Sequence, residues 1–195
     1  MLTLDAKRTA LVLIDVQKGT LGFTLSPHAP AEIVATSLKL AQAARKAAAL
    51  LVYVRVAFAA DYADRPQGLT DTPMILPPGG MPKDWSDYAA ELAAIEPDLW
   101  ITKHQWSAFH ATGLDLQLRR RGITHVIFGG IATNFGVESS ARDAWQHNYT
   151  AVIAEDACSS VGPGLHEFAI EKTLPRVSLI RSSDEIVAAL GAPRR

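Results

Sequence analysis

The run HVIFGGIATNFGVESSARDA, residues 125–144, reads as a buried strand that turns sharply into a helix. Its first part is apolar and rich in β-branched residues without polar alternation, as a strand covered on both faces requires. Its last part carries small and charged residues in a helical pattern that extends to His147. Gly136 falls in the first turn of that helix. A glycine inside a helix costs about 0.5–1 kcal/mol relative to alanine, so a side chain is unwelcome there and the position is expected to border a ligand.

Working outward, further apolar runs recur at 9–15 (TALVLID), 50–58 (LLVYVRVAF), 99–103 (LWITK), 150–157 (TAVIAEDA) and 176–182 (RVSLIRS). Helical patterns follow or intervene at 31–49, 114–121, 134–147, 165–174 and 184–190. Ser182 or Ser183 is placed to cap the last of these and Gly191 to stop it. Strand alternating with helix implies crossover connections and a mostly parallel sheet covered on both sides. The expected fold is therefore α/β, a doubly wound three-layer αβα sandwich with about six strands, in a single domain over 1–195. Segment 59–85 is the exception: crowded with Pro, Gly and Asp, it reads as an ordered lid, binding loop or subunit contact.

Composition narrows the partners. The chain is 48% hydrophobic with a formal net charge of −1, and its charges are mixed along its length, so nucleic acid and anionic membranes are not expected. No apolar run approaches the ~20 residues of a membrane span, and the start has no leader pattern; a soluble, cytoplasmic protein is expected. The lone Cys158 has no internal disulfide partner. A small-molecule substrate is the default partner.

In open parallel sheets, ligands bind outside the carboxyl ends of the strands. Asp15 ends LVLID, Lys103 ends WITK, and GGIATNFG closes the run at 125–130 and begins its helix. A carboxylate and an ammonium at the lip of an apolar sheet suit proton transfer, and equally suit an ion pair that only ties two strands together.

Taken in order, LVLIDVQKG and the long segment from KHQWSAF through IATNFGVESSARDA to EDACSS resemble the isochorismatase-like hydrolase family, also called the cysteine hydrolase superfamily. The resemblance spans nearly the whole chain and is weakest at 59–85. It implies Asp15 as the proton-transferring acid or base, Lys103 as its charged partner, and Gly136 at the position where most relatives carry the nucleophilic cysteine. Those relatives read ATNVCVEST where this chain reads ATNFGVESS. The resemblance also implies a cis peptide at Ile131–Ala132 and an oxyanion hole built from the backbone of Ile131, Ala132, Phe135 and Gly136. With no thiol at 136, thioester chemistry is closed. Isochorismatases proper also have glycine there and use the aspartate to protonate a vinyl ether, although their turn reads Tyr-Ala-His-Ile-Gly. Two functions stay open: an Asp/Lys acid–base hydrolase, including the vinyl-ether type, and a catalytically silent binding or regulatory member. A homodimer or homotetramer is also implied.

Phe23, Trp106 and Phe109 fall near the strand ends and, with Arg55, Thr133 and Asn134, are candidates to line a substrate pocket. Thr133 and Asn134 are equally natural helix caps, and Arg55 could instead pair with an acid such as Asp15. No cofactor is expected. No metal site is expected either: the segment after LLVYVRVAF lacks the Asp and His ligands of nicotinamidases, and His28, His104 and His110 show no ligand-like spacing. Cys158 reads as a buried, inert thiol.

Overall fold

The computed structural model describes residues 2–192. Its strands are β1 Thr9–Ile14, β2 Leu25–Ser26, β3 Leu50–Val56, β4 Leu99–Lys103, β5 His125–Ile131, β6 Thr150–Val161 and β7 Ser178–Arg181. Its helices are α1 Lys18–Leu21, α2 Pro30–Ala47, α3 Ala90–Ala93, α4 Leu114–Arg120, α5 Glu138–Gln146, α6 Leu165–Phe168 and α7 Ser183–Gly191. β7, β6, β5, β1, β3 and β4 lie side by side and all parallel, with the two-residue β2 antiparallel on β6. All six expected strands are present, so the sheet is the mostly parallel α/β arrangement anticipated.

Each apolar run serves two cores, because successive residues of a strand point to opposite faces. Leu11, Leu13, Tyr53, Ile127 and Val152 pack with Ile33, Leu40 and Ala44 of α2 and Ile186 and Leu190 of α7. Ala10, Val12, Val54, Val126 and Phe128 pack with Leu114 and Leu118 of α4 and Ala141 and Ala144 of α5. All six residues of β1 are buried, which is why its run shows no polar alternation.

Local chemistry sets the element ends. Ser182, rather than Ser183, caps α7: its hydroxyl accepts the Glu185 N–H at 3.3 Å while Glu185 accepts the Ser182 N–H at 2.9 Å. Ser183 instead gives its hydroxyl to Asp156. Pro30 starts α2, where a missing N–H costs nothing.

Several features were not anticipated. β6 runs on to Val161, and its pairing with β5 shifts between Phe128 and Gly130. The helix after β5 begins with a wide π-type turn, Thr133–Val137, before α5 proper. The expected helix at 165–174 is broken into α6, a second wide turn and a 3₁₀ turn at Leu174–Arg176. The Ser26–Pro27 peptide is cis, in addition to Ile131–Ala132, which is cis where the resemblance implied a cis bond. Among the described residues, no helix is long and apolar enough to cross a membrane.

The 59–85 segment is anchored at its ends. Trp85 lies against Gly19, where any side chain would overlap the indole, and stacks on Phe58 with ring centroids 6.5 Å apart. Lys18 pairs with Asp84 at 3.0 Å, and the Tyr62 hydroxyl accepts the Met81 N–H at 2.7 Å.

Candidate active site

β1 ends at Ile14, and Asp15 follows with φ 52°, a left-handed conformation that asparagine and aspartate tolerate better than most residues. Its N–H donates to the Val54 carbonyl at 2.8 Å, which holds the turn against β3. Lys103 ends β4 beyond β3, and its register partner Val56 ends β3, so the lysine reaches past β3 to the aspartate. Lys103 Nζ donates to Asp15 Oδ2 at 2.6 Å and to the Gln105 carbonyl at 3.0 Å. Both side chains are buried, and Asp15 Oδ1 has no hydrogen-bond partner among the described residues. Burial pushes the Asp15 carboxyl up to about 6 from an ordinary 3.8, against the opposing pull of the Lys103 charge and hydrogen bond.

Gly136 closes the third side. A Cβ built there would lie 3.2 Å from Ile14 Cγ2, 3.4 Å from the Ile131 carbonyl and 3.5 Å from the Trp106 carbonyl. The glycine therefore lets the turn approach the ends of β1, β4 and β5 together. Ile14 adjoins Asp15, and Trp106 follows Gln105, so the structure brings the three expected positions to one place.

A family model, the isochorismatase domain, matches residues 9–185. The chain belongs to the isochorismatase family. The isochorismatase family protein YecD of Escherichia coli O157:H7 is 45% identical over 190 residues, 97% of this chain and 100% of that protein. The ureidoacrylate amidohydrolase RutB of Pantoea ananatis is 34% identical over 187 residues, covering 84% of this chain and 72% of that one. The structure of an isochorismatase family protein from Burkholderia thailandensis superposes with a TM-score of 0.91 at 37% identity, covering 97% and 98% of the two chains. The family's named activities are hydrolytic, so this is an isochorismatase-family hydrolase fold with the Asp15–Lys103 pair at its strand ends.

The remaining candidates of this isochorismatase-family site are distributed unevenly. Trp106 and Phe135 stand together, ring centroids 4.8 Å apart, and both are partly exposed. Phe23 is exposed just after α1. Phe109 is turned into the core, packed on Phe128, Tyr149 and His147, because its segment lies over α5. Arg55 does not reach Asp15; it donates to the Thr102 hydroxyl at 3.1 Å and lies over Trp100 at 5.7 Å. Thr133 and Asn134 do not cap the turn. Thr133 Oγ1 lies 2.9 Å from His166 Nδ1, and Asn134 Oδ1 accepts the Ser160 hydroxyl at 2.9 Å. The Phe135 N–H donates to the Ala132 carbonyl at 3.1 Å, as does that of Val137 at 3.2 Å. Cys158 is buried, and burial pushes its thiol up to about 12, so it is no nucleophile.

Sequence reasoning passed over Gln17 and Tyr88. Gln17 is fully buried; its amide donates to the Val56 and Trp85 carbonyls and accepts the Val56 N–H, all at 3.0–3.1 Å. It joins the end of β3 to the 59–85 segment beside Asp15. The Tyr88 hydroxyl donates to the Leu13 carbonyl at 2.6 Å and accepts the Val54 N–H at 3.2 Å, directly beneath the site. A polar Gln two residues after a strand-ending acid was the one available signal for the former.

Proposed function

We propose that the protein is a hydrolase that works by proton transfer from Asp15 and addition of water, with no enzyme-linked intermediate. The observation that carries this reading is the Asp15 carboxyl: buried, one oxygen held by Lys103 at 2.6 Å, the other without a partner among the described residues, and its pKa raised to about 6. Such a carboxyl is substantially protonated just below neutral pH and can deliver a proton to a substrate atom. With glycine at 136, no side chain there can attack a carbonyl, so an acyl-enzyme route is closed.

The chemistry that fits is hydrolysis of a small vinyl ether. Asp15 protonates the terminal alkene carbon, leaving an oxocarbenium ion. Water adds to it, the released proton returns to Asp15, and the hemiketal collapses to a ketone and an alcohol. Lys103 steadies the carboxylate formed in the first step. The Phe135 N–H, an expected oxyanion donor, is taken by the Ala132 carbonyl, so the other backbone amides of the turn, at Ala132 and Gly136, bind the anionic part of the substrate, and Trp106 and Phe135 form an apolar wall.

Turnover of isochorismate against a panel of amides, ureas and carbamates tests this. Asp15→Asn is expected to lower the rate on the vinyl ether by about 100-fold or more. The rate is also expected to fall as pH rises through about 6, since the protonated acid is the active form. Retained activity in Asp15→Asn, or a rate that rises through that pH on an amide or urea, overturns it. Gly136 itself favours a second reading, a binding member that has lost its nucleophile; ligand-dependent thermal shifts with no turnover across the panel would establish that one instead.

A further inference from the structure

On the flank of β5 opposite Asp15, three residues from separate segments converge. His28 lies between β2 and α2, Glu155 on β6 and His166 on α6. One ligand atom from each lies within 4.8 Å of the other two. His166 Nε2 is 3.7 Å from Glu155 Oε1, and the His28 and His166 rings meet edge to face with centroids 5.6 Å apart. We propose that His28, Glu155 and His166 form a binding site for a divalent transition-metal ion of the zinc class, with one coordination position left open.

Four observations carry it. Among the described residues, His28 Nε2 is buried with no hydrogen-bond partner, a costly state for a polar atom unless something binds it. The backbone of His28 is fixed by Ser159, whose hydroxyl accepts the His28 N–H at 3.2 Å and donates to the His28 carbonyl at 2.9 Å. His166 is buried and its Nδ1 is taken by Thr133 Oγ1 at 2.9 Å, which orients the ring with Nε2 toward the cluster, as the outer partners of metal-bound histidines do. Two imidazoles and one carboxylate are a donor set that zinc uses with a fourth position open. Tetrahedral bonds of about 2.0–2.2 Å put ligand atoms about 3.3–3.6 Å apart, so the widest separation in the cluster, up to 4.8 Å, has to close by roughly 1.2–1.5 Å around the ion.

The pattern was invisible in sequence because the three residues share no element and no ligand-like spacing. In the fold, the ion would join the β2–α2 corner, β6 and α6 through Thr133 to the turn that carries Ala132 and Gly136. That makes it a different device from the proton chemistry at Asp15, and its test needs no substrate.

Untagged protein, stripped with a chelator, is titrated with Zn²⁺ by calorimetry and with Co²⁺ by visible absorption. One ion per chain, a tetrahedral Co²⁺ spectrum and a raised Tm are expected. His28→Ala and Glu155→Gln are each expected to weaken Zn²⁺ binding at least tenfold, while His110→Ala, on an exposed loop, leaves it unchanged. Circular dichroism confirms that the variants are folded; His166→Gln is the harsher change, because it also removes the Thr133 contact. Absence of saturable binding, or binding unchanged in folded His28→Ala and Glu155→Gln, overturns the proposal and leaves a plain histidine–glutamate pair.

Discussion

Burial and Lys103 act in opposite senses on the Asp15 carboxyl, and burial is the larger effect. Replacing Lys103 by methionine keeps much of the packing and removes the charge that favours the carboxylate. Asp15 is then expected to titrate at least about one pH unit above its present value of about 6, because an adjacent cation commonly lowers a carboxyl by 1–3 units. Carboxyl carbon NMR across the titration measures this directly, and an unmoved pKa would show that Lys103 is only a strap between β1 and β4. The pair was legible in sequence because each residue is the sole charge at the end of an apolar strand. Its supports were not. Gln17 and Tyr88 come from irregular stretches whose hydrogen bonds depend on how the chain folds back, and Thr133 looked like a cap although its hydroxyl turns sideways to His166.

At the scale of elements, the close approach of β5 and its following turn to β1 decides whether the site exists. Two glycines permit it, and they differ in kind. Gly130 has φ 124°, and a Cβ there would overlap the Ile14 carbonyl, so neither the backbone conformation nor the space admits a side chain. Gly136 has only a tight contact, 3.2 Å to Ile14 Cγ2, a side-chain methyl that can give slightly. Gly130→Ala is therefore expected to cost more than about 4 kcal/mol, in the range of severe core damage. For Gly136→Ala, a helix-propensity gain of about 0.5–1 kcal/mol offsets the crowding, and the net change is expected to stay within about 1 kcal/mol. Urea denaturation of both variants separates them; equal losses would mean that Gly136 is held by packing as strictly as Gly130. The sequence drew attention to Gly136 through its helical position. Gly130 passed unnoticed because a glycine in a strand reveals its φ only once the neighbouring strand is placed. For the same reason the six long strands were readable from their apolar runs, while β2, two residues paired through tertiary contact alone, was not.

For the whole molecule, the same carboxyl makes stability depend on pH in a sense opposite to most surface acids. Asp84, lowered by its hydrogen bond to Lys18, and Glu185, lowered by the Ser182 N–H, each add stability above their unfolded values and lose it as pH falls through their folded ones. Asp15 is raised from 3.8 to about 6, so between those values the folded chain binds a proton that the unfolded chain does not. Its contribution is therefore fully present below about 3.8 and is lost as pH rises through about 6. The loss amounts to about 3 kcal/mol at 1.36 kcal/mol per pH unit. His166, lowered by burial, works against it over part of the same range, since its stability falls as pH drops below the ordinary histidine value. Total stability hides the two trends, but comparison with Asp15→Asn cancels every group the chains share. The difference in unfolding free energy, native minus variant, is expected to fall by about 2.3 kcal/mol from pH 4 to pH 6.5, most of the full loss, and to level off above about pH 7. Urea titrations at half-unit pH steps would show it. A difference that is flat across the whole range would mean the carboxyl is ionised throughout, and with it would go the proton that the vinyl-ether chemistry requires.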